Sequence, residues 1–162
     1  MVEKKQEIIN LLKSLNIYYE MVSHKEVYTI NEMLQLNLPK SESVAKNLFV
    51  RDDKKRNYYL IVVREEKKVE LKKFREKIAS RPLSFASEDD LNSILELSKG
   101  SVTPFGIIND KKQKVKVFID NEFKDDTIGV HPNDNTATIW LKTNDLVKII
   151  EQHGNLVEFI EI

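Results

Sequence analysis

Gly100, Pro104 and Gly106 stand close together in the stretch KGSVTPFG, in a chain with only four glycines and four prolines. Glycine allows positive φ and close backbone approach; proline fixes φ and removes a donor. With Ser101, Val102, Thr103 and Phe105 between them, they describe a rigid loop with exposed amides, of the kind that surrounds a small ligand. Thr103 offers a hydroxyl, and Phe105 either excludes bulk or anchors the loop. A second stretch of this type, IGVHP, contains Gly129, His131 and Pro132. Lys46 and Asn47 open the strand-like run AKNLFV. Taken singly, each has an ordinary explanation: a connecting loop, a strand-end histidine, a solvated strand end.

Other chemistries are absent from the sequence. There is no cysteine, so disulfides, thiol nucleophiles and thiolate metal sites are excluded. His24, His131 and His153 are widely spaced and form no metal-ligand pattern, so no metal and no cofactor is expected. No strand is followed by GxGxxG or a Walker motif. The N-terminus MVEKKQEIIN is charged and does not read as a signal peptide. No apolar run approaches the roughly 18 residues of a membrane span. A cytoplasmic protein without a membrane partner is expected. The 26 basic and 26 acidic side chains balance, which argues against gripping nucleic acid by bulk charge alone. The length of 162 residues suits one domain spanning residues 1–162.

The elements that must position these residues follow from periodicity. Ile8, Ile9, Leu11, Leu12 and Leu15 form one stripe of a helix over 3–15. Ile17–Val22 reads as a strand. Thr29 and Glu32 make a capping box for a helix near Ile30–Leu36, ended by Pro39. Ala45–Arg51 and Asn57–Val63 form a hairpin turning at DDKKR. Val69–Ala79 has helical spacing, Leu83–Ala86 is a short strand, and Ser87 caps the helix SEDDLNSILEL. Gly106–Asn109 and Lys114–Asp120 read as another hairpin, turning at DKKQK; Asp126–His131 and Thr136–Leu141 read as a third strand pair. Thr143 caps a helix over Asn144–His153 that Gly154 ends, and Leu156–Ile162 closes as a strand. The expected fold is α+β, a mixed and mainly antiparallel sheet flanked by helices.

Three motifs in order, SESVAKNL (Ser41–Leu48), KGSVTPFG (Lys99–Gly106) and GVHPNDNTATI (Gly129–Ile139), resemble the YbaK/prolyl-tRNA-synthetase-associated editing family. Within it, the chain is most similar to the branch of free-standing alanyl-tRNA(Pro) deacylases. EVYTINEM (Glu26–Met33) also fits, and the likeness runs over nearly the whole chain.

The resemblance implies hydrolysis, in trans, of alanine mischarged on tRNA(Pro), with that tRNA as partner and prolyl-tRNA synthetase as a transient one. A close variant is cysteinyl-tRNA(Pro) as substrate; a non-catalytic tRNA- or synthetase-binding module and a small-molecule sensor are the alternatives of other classes. Size exclusion by a second site is needed because a missing methylene is worth only about 1–3 kcal/mol to a pocket. The resemblance assigns Lys46, Gly100 and His131 as the catalytic set. Asn47, Ser101, Val102, Thr103, Pro104, Phe105, Gly106 and Gly129 would bind substrate. It gives Lys46 the phosphate or ribose end of the terminal adenosine. The loop amides surround the ester or aminoacyl group, and His131 borders the aminoacyl pocket. The vicinal ribose hydroxyl helps activate or position water. For the rest of the tRNA, the helix Val69–Arg81 and the turn Lys111–Lys116 are the candidate basic faces.

Overall fold

The computed structural model describes residues 3–26, 32 and 40–162. The proposed helix at Ile30–Leu36, with its Thr29 cap and Pro39 stop, lies outside them except for Glu32.

The apolar stripe near the N-terminus folds as α1 (Lys4–Ser14) and buries Ile8, Ile9 and Leu12. Two sheets follow. The strands are β1 (Tyr19–Ser23), β2 (Ala45–Asp52), β3 (Tyr58–Arg64), β4 (Leu83–Phe85), β5 (Val115–Asp120), β6 (Thr127–Val130), β7 (Ala137–Lys142) and β8 (Val157–Ile160). β1, β7 and β6 make a three-stranded antiparallel sheet in the order β1-β7-β6. The other sheet has the order β4-β2-β3-β5-β8. Its β4-β2-β3 half is antiparallel, and β5 and β8 join in parallel. The mixed, mainly antiparallel α+β architecture is as the sequence implies.

The hairpin β2–β3 alternates between two cores. Phe49, Leu60 and Val62 face the main core, with α1, Phe105 and the helix α3 (Thr143–His153). Val50, Ile61 and Val63 face a second cluster, covered by Phe74 of the helix α2 (Leu71–Lys77). Period-two alternation therefore sends neighbouring side chains of β2 to opposite sides of the sheet. α3 ends on Gly154, whose φ of 102° is the left-handed conformation that glycine adopts without strain. Ser87 caps the next segment, accepting from the Asp90 amide at 3.1 Å, although the helix there is one turn, Glu88–Asp90, running into a π-helical Leu91–Leu95.

Two expectations fail. Gly106–Asn109 is no strand: Pro104–Asn109 is a 3₁₀-helix, entered through Thr103, with Pro104 in its first turn. Proline there loses no bond, since the first amides of a helix lack internal partners. β5 has parallel neighbours on both sides, β3 and β8, so no edge is open for a hairpin partner. The DKKQK turn is instead organised by buried Asp110. Its carboxylate accepts from the Lys114 and Val115 amides at 3.1 and 2.9 Å, and from Asn155 Nδ2 at 2.8 Å. Nor is Thr143 a cap: Lys142 takes that place without a side-chain bond, and the Thr143 hydroxyl is buried without a partner.

Replacing Asp110 by alanine removes the acceptor of three hydrogen bonds at the start of β5, two of them from the buried residues Val115 and Asn155. Urea unfolding of Asp110→Ala should show a loss of about 2–4 kcal/mol; a variant within 0.5 kcal/mol of wild type, on the order of a neutral surface change, would contradict this account.

Candidate functional site

The loop from Gly100 to Gly106 is pinned between the two sheets. Gly100 has φ 91°, the left-handed region where a side chain is strained. Ser101 and Thr103 are buried, while Val102 is half-buried. Phe105 is fully buried in the main core and so holds the loop there. Gly106 has no room for a Cβ, which would stand 2.6 Å from Leu97 Cδ1.

Among the described residues, three side-chain hydrogen bonds tie this loop to its surroundings. Asn47 Nδ2 donates to the Val102 carbonyl at 3.2 Å. The Thr103 hydroxyl donates to the His131 carbonyl at 2.6 Å. Asn133 Nδ2 donates to the Phe105 carbonyl at 3.4 Å. Asn47, the loop and the segment after β6 are thus brought together across long stretches of sequence. Asn47 Oδ1 is buried and without a protein partner, which leaves an acceptor available there.

His131 follows β6 and is held by its own ring. Its Nδ1 lies 2.9 Å from the Ala137 carbonyl. A carbonyl only accepts, so Nδ1 carries the proton and Nε2 keeps a lone pair in the neutral ring. Burial pushes the His131 pKa below its ordinary 6.5; the nearby His24 ring adds to this, and the Ala137 bond and Asp134 oppose it. At neutral pH His131 is an uncharged acceptor. Its ring meets that of His24 edge-on, with centroids 6.0 Å apart. His24 is held by the Lys25 carbonyl at Nδ1 (2.8 Å) and Thr138 Oγ1 at Nε2 (2.9 Å).

Gly129 is a joint between the sheets. It bridges Val44, just ahead of β2, in parallel. A Cβ on it would lie 2.6 Å from Trp140 Nε1. That indole donates to the Lys40 carbonyl at 3.2 Å. The packing explains the glycine without a ligand, and it fixes where His131 emerges.

Lys46 does not join the Asn47–Val102 contact. It faces Val63 across the hairpin, on the side of β2 opposite Asn47. Its ammonium donates to the Lys67 carbonyl. Lys67 is itself held by Asp120 and Glu122, each at 2.6 Å. Burial holds the Lys46 pKa below the usual lysine value, against the pull of Glu66 and Glu65. Glu65 is buried on this side, its Oε1 without a partner. Burial raises its pKa from 4.5 to about 7; the Glu66 charge adds to the shift and Lys46 opposes it. A cation thus sits beside a carboxyl that ionises near neutrality.

The residue-by-residue reading of the sequence missed His24, Asn133, Glu65 and Lys67. Asn133 lies inside the GVHPNDNT motif, so a signal was present. His24 reaches the site only because β1 pairs with β7, which no local pattern announces. Among the described residues, no group of three His, Asp or Glu is placed to hold a metal ion, and no helix is long and apolar enough to cross a membrane.

Residues 24–149 match the family model of the aminoacyl-tRNA editing domain. The chain is 43% identical to Prolyl-tRNA editing protein ProX of Acetoanaerobium sticklandii, over 99% of both chains. It is 32% identical to Prolyl-tRNA synthetase associated domain-containing protein 1 of Danio rerio, over 93% of this chain and 83% of that one. A crystal structure of a proposed trans-editing enzyme for prolyl tRNA synthetase superposes with a TM-score of 0.73, covering 100% of this chain and 99% of the other at 14% identity, which speaks for the fold.

The Glu65 shift has a sign. Folded Glu65 binds its proton more tightly than the unfolded chain does. Its contribution to stability is therefore fully present below 4.5 and lost as pH rises through about 7. Glu65→Gln should raise the urea midpoint relative to wild type at pH 8 and leave it nearly unchanged at pH 4.5; equal shifts at both pH values would show that Glu65 is not titrating in this way. A parallel NMR titration should place His131 below 6.5.

Proposed function

The chain belongs to the aminoacyl-tRNA editing domain family, and on that premise we propose that it is a trans-acting deacylase that removes alanine mischarged on tRNA(Pro) and so proofreads for prolyl-tRNA synthetase. The observation that carries this reading is the 43% identity to the prolyl-tRNA editing protein across 99% of both chains.

The reaction is ester hydrolysis. Water oxygen bonds to the aminoacyl carbonyl carbon, the bond to the ribose oxygen breaks, and that oxygen takes a proton. Alanine and a tRNA with a free terminal hydroxyl leave. An aminoacyl ester is already activated, so orientation and electrostatics supply most of what the protein must add. The backbone of Gly100–Gly106 surrounds the aminoacyl group, and its anchoring by Phe105 and Thr103 keeps that wall from yielding. A rigid wall is what rejection of the larger prolyl group requires.

His131 borders the pocket as a neutral acceptor at Nε2, suited to the α-ammonium of alanine or to the attacking water. Asn47 spends its amide on the loop and offers its oxygen to the substrate. Lys46 exchanges the Lys67 carbonyl for the phosphate or ribose end of the terminal adenosine. A flexible point charge suits that exchange.

Release of labelled alanine from Ala-tRNA(Pro) tests the reading, with Pro-tRNA(Pro) and Cys-tRNA(Pro) alongside. Wild type should release alanine and spare proline, and Lys46→Ala should lower kcat/KM by about 100-fold. Faster loss of cysteine than of alanine would overturn the substrate assignment. No acceleration with any of the three would leave a binding module in place of an enzyme.

A further inference from the structure

The face of the five-stranded sheet that carries Lys46 extends well beyond it. Val63 faces Lys46; Ile61 and Tyr59 continue the same face of β3, in register with Phe118 and Lys116 of β5. From Val63 to Tyr59 is about 13 Å at the strand rise of roughly 3.3 Å per residue. α2 lies on this face, packing Phe74 edge-on against Phe118 with centroids 5.3 Å apart.

Two concavities open beside α2. One, of about 230 Å³, has Lys68, Lys73 and Lys77 on its wall. The other, of about 600 Å³, has Lys77, Lys114 and Lys116 around Tyr59 and Phe118. Lys77 borders both, so they adjoin as one channel. Its upper end begins next to Lys67, whose carbonyl holds the Lys46 ammonium. Its far end is the turn ahead of β5.

The channel gathers positive charge. Five lysines line the two concavities, Lys68, Lys73, Lys77, Lys114 and Lys116, in a chain whose basic and acidic totals are 26 and 26. The acids on the walls are Glu70 and Glu158, paired with Lys73 at 3.4 Å and Lys116 at 3.1 Å. These pairs are exposed and therefore weak; a phosphate can take over the lysines at little cost. The neutral total conceals a basic strip that starts at the candidate site.

We propose that this channel is the track for the sugar–phosphate backbone of the tRNA acceptor arm, leading its 3′ end to Lys46. The inference rests on the editing reading and adds to it the surface that receives the body of the substrate. Lysines along a groove contact phosphates without reading bases, which positions a tRNA and leaves selection to the aminoacyl pocket. A short nucleotide ester bound at Lys46 does not reach Lys77 or Lys114. That difference in reach makes the track testable apart from the chemistry.

The test compares wild type with Lys77→Glu/Lys114→Glu on two substrates: full-length Ala-tRNA(Pro), and the alanyl ester of AMP. For the tRNA, KM should rise by about tenfold with kcat within about twofold, and the slope of log kcat/KM against log salt should flatten by about 2. For the alanyl ester of AMP, nothing should change. Lys77→Arg/Lys114→Arg should behave as wild type on both. An unchanged KM and salt slope with the tRNA would overturn the track, as would equal losses on the two substrates. Wild type inactive on both would mean that the editing reading had failed instead; binding of uncharged tRNA to wild type and variant would then decide the track by itself.

Discussion

The hydrogen bond from the Thr103 hydroxyl to the His131 carbonyl, 2.6 Å long, is the contact on which the arrangement of the site depends. It joins a loop that belongs to the main core to a strand end that belongs to the smaller sheet. Neither partner has freedom to adjust. Thr103 is fixed because Phe105 and Ile107, just after it, are buried in the main core. His131 is fixed because Gly129, two residues earlier, lies against Trp140 with no room for a Cβ. Two packing constraints from different sheets thus meet in one short bond.

The same logic explains why the site is divided between the faces of one strand. Asn47 goes inward to the Val102 carbonyl, and Lys46 goes outward to the Lys67 carbonyl. Strand alternation compels this for any adjacent pair. The inward face supplies neutral, shape-fixing groups, namely Asn47, the loop backbone and an uncharged His131. The outward face supplies charge: Lys46, buried Glu65, and the ion pairs of Lys67 with Asp120 and Glu122.

Much of this was legible in local patterns. The α1 stripe, the β2–β3 hairpin with its polar turn, the β6–β7 pair and the Gly154 stop appear with boundaries shifted by a few residues at most. What misled was an apolar run without alternation. Gly106, Ile107, Ile108 and Asn109 read as a strand by composition, yet Thr103-Pro104 is a helix entrance, and that signal prevailed. Thr143 misled differently, because a residue type suited to capping was recruited to the interior. Lys46, the loop and His131 stand out only as an ordered set of motifs. His24 and Glu65 carry no local signal, since the pairing of β1 with β7 and the burial after β3 exist only in three dimensions.

The pairing of β1 with β7 also bears on how the protein is made. His24 and Thr138, which meet in the site, are 114 residues apart. At roughly 5–20 residues per second of synthesis, the early strand waits about 6–23 s for its partner to leave the ribosome. Until then β1 is an unpaired edge, open to adventitious strand partners. The larger sheet meets the same delay at its margin, where β8 completes β5 last. During translation the nascent chain is therefore most exposed to misassembly at β1 and beside β5, until β7 and β8 emerge.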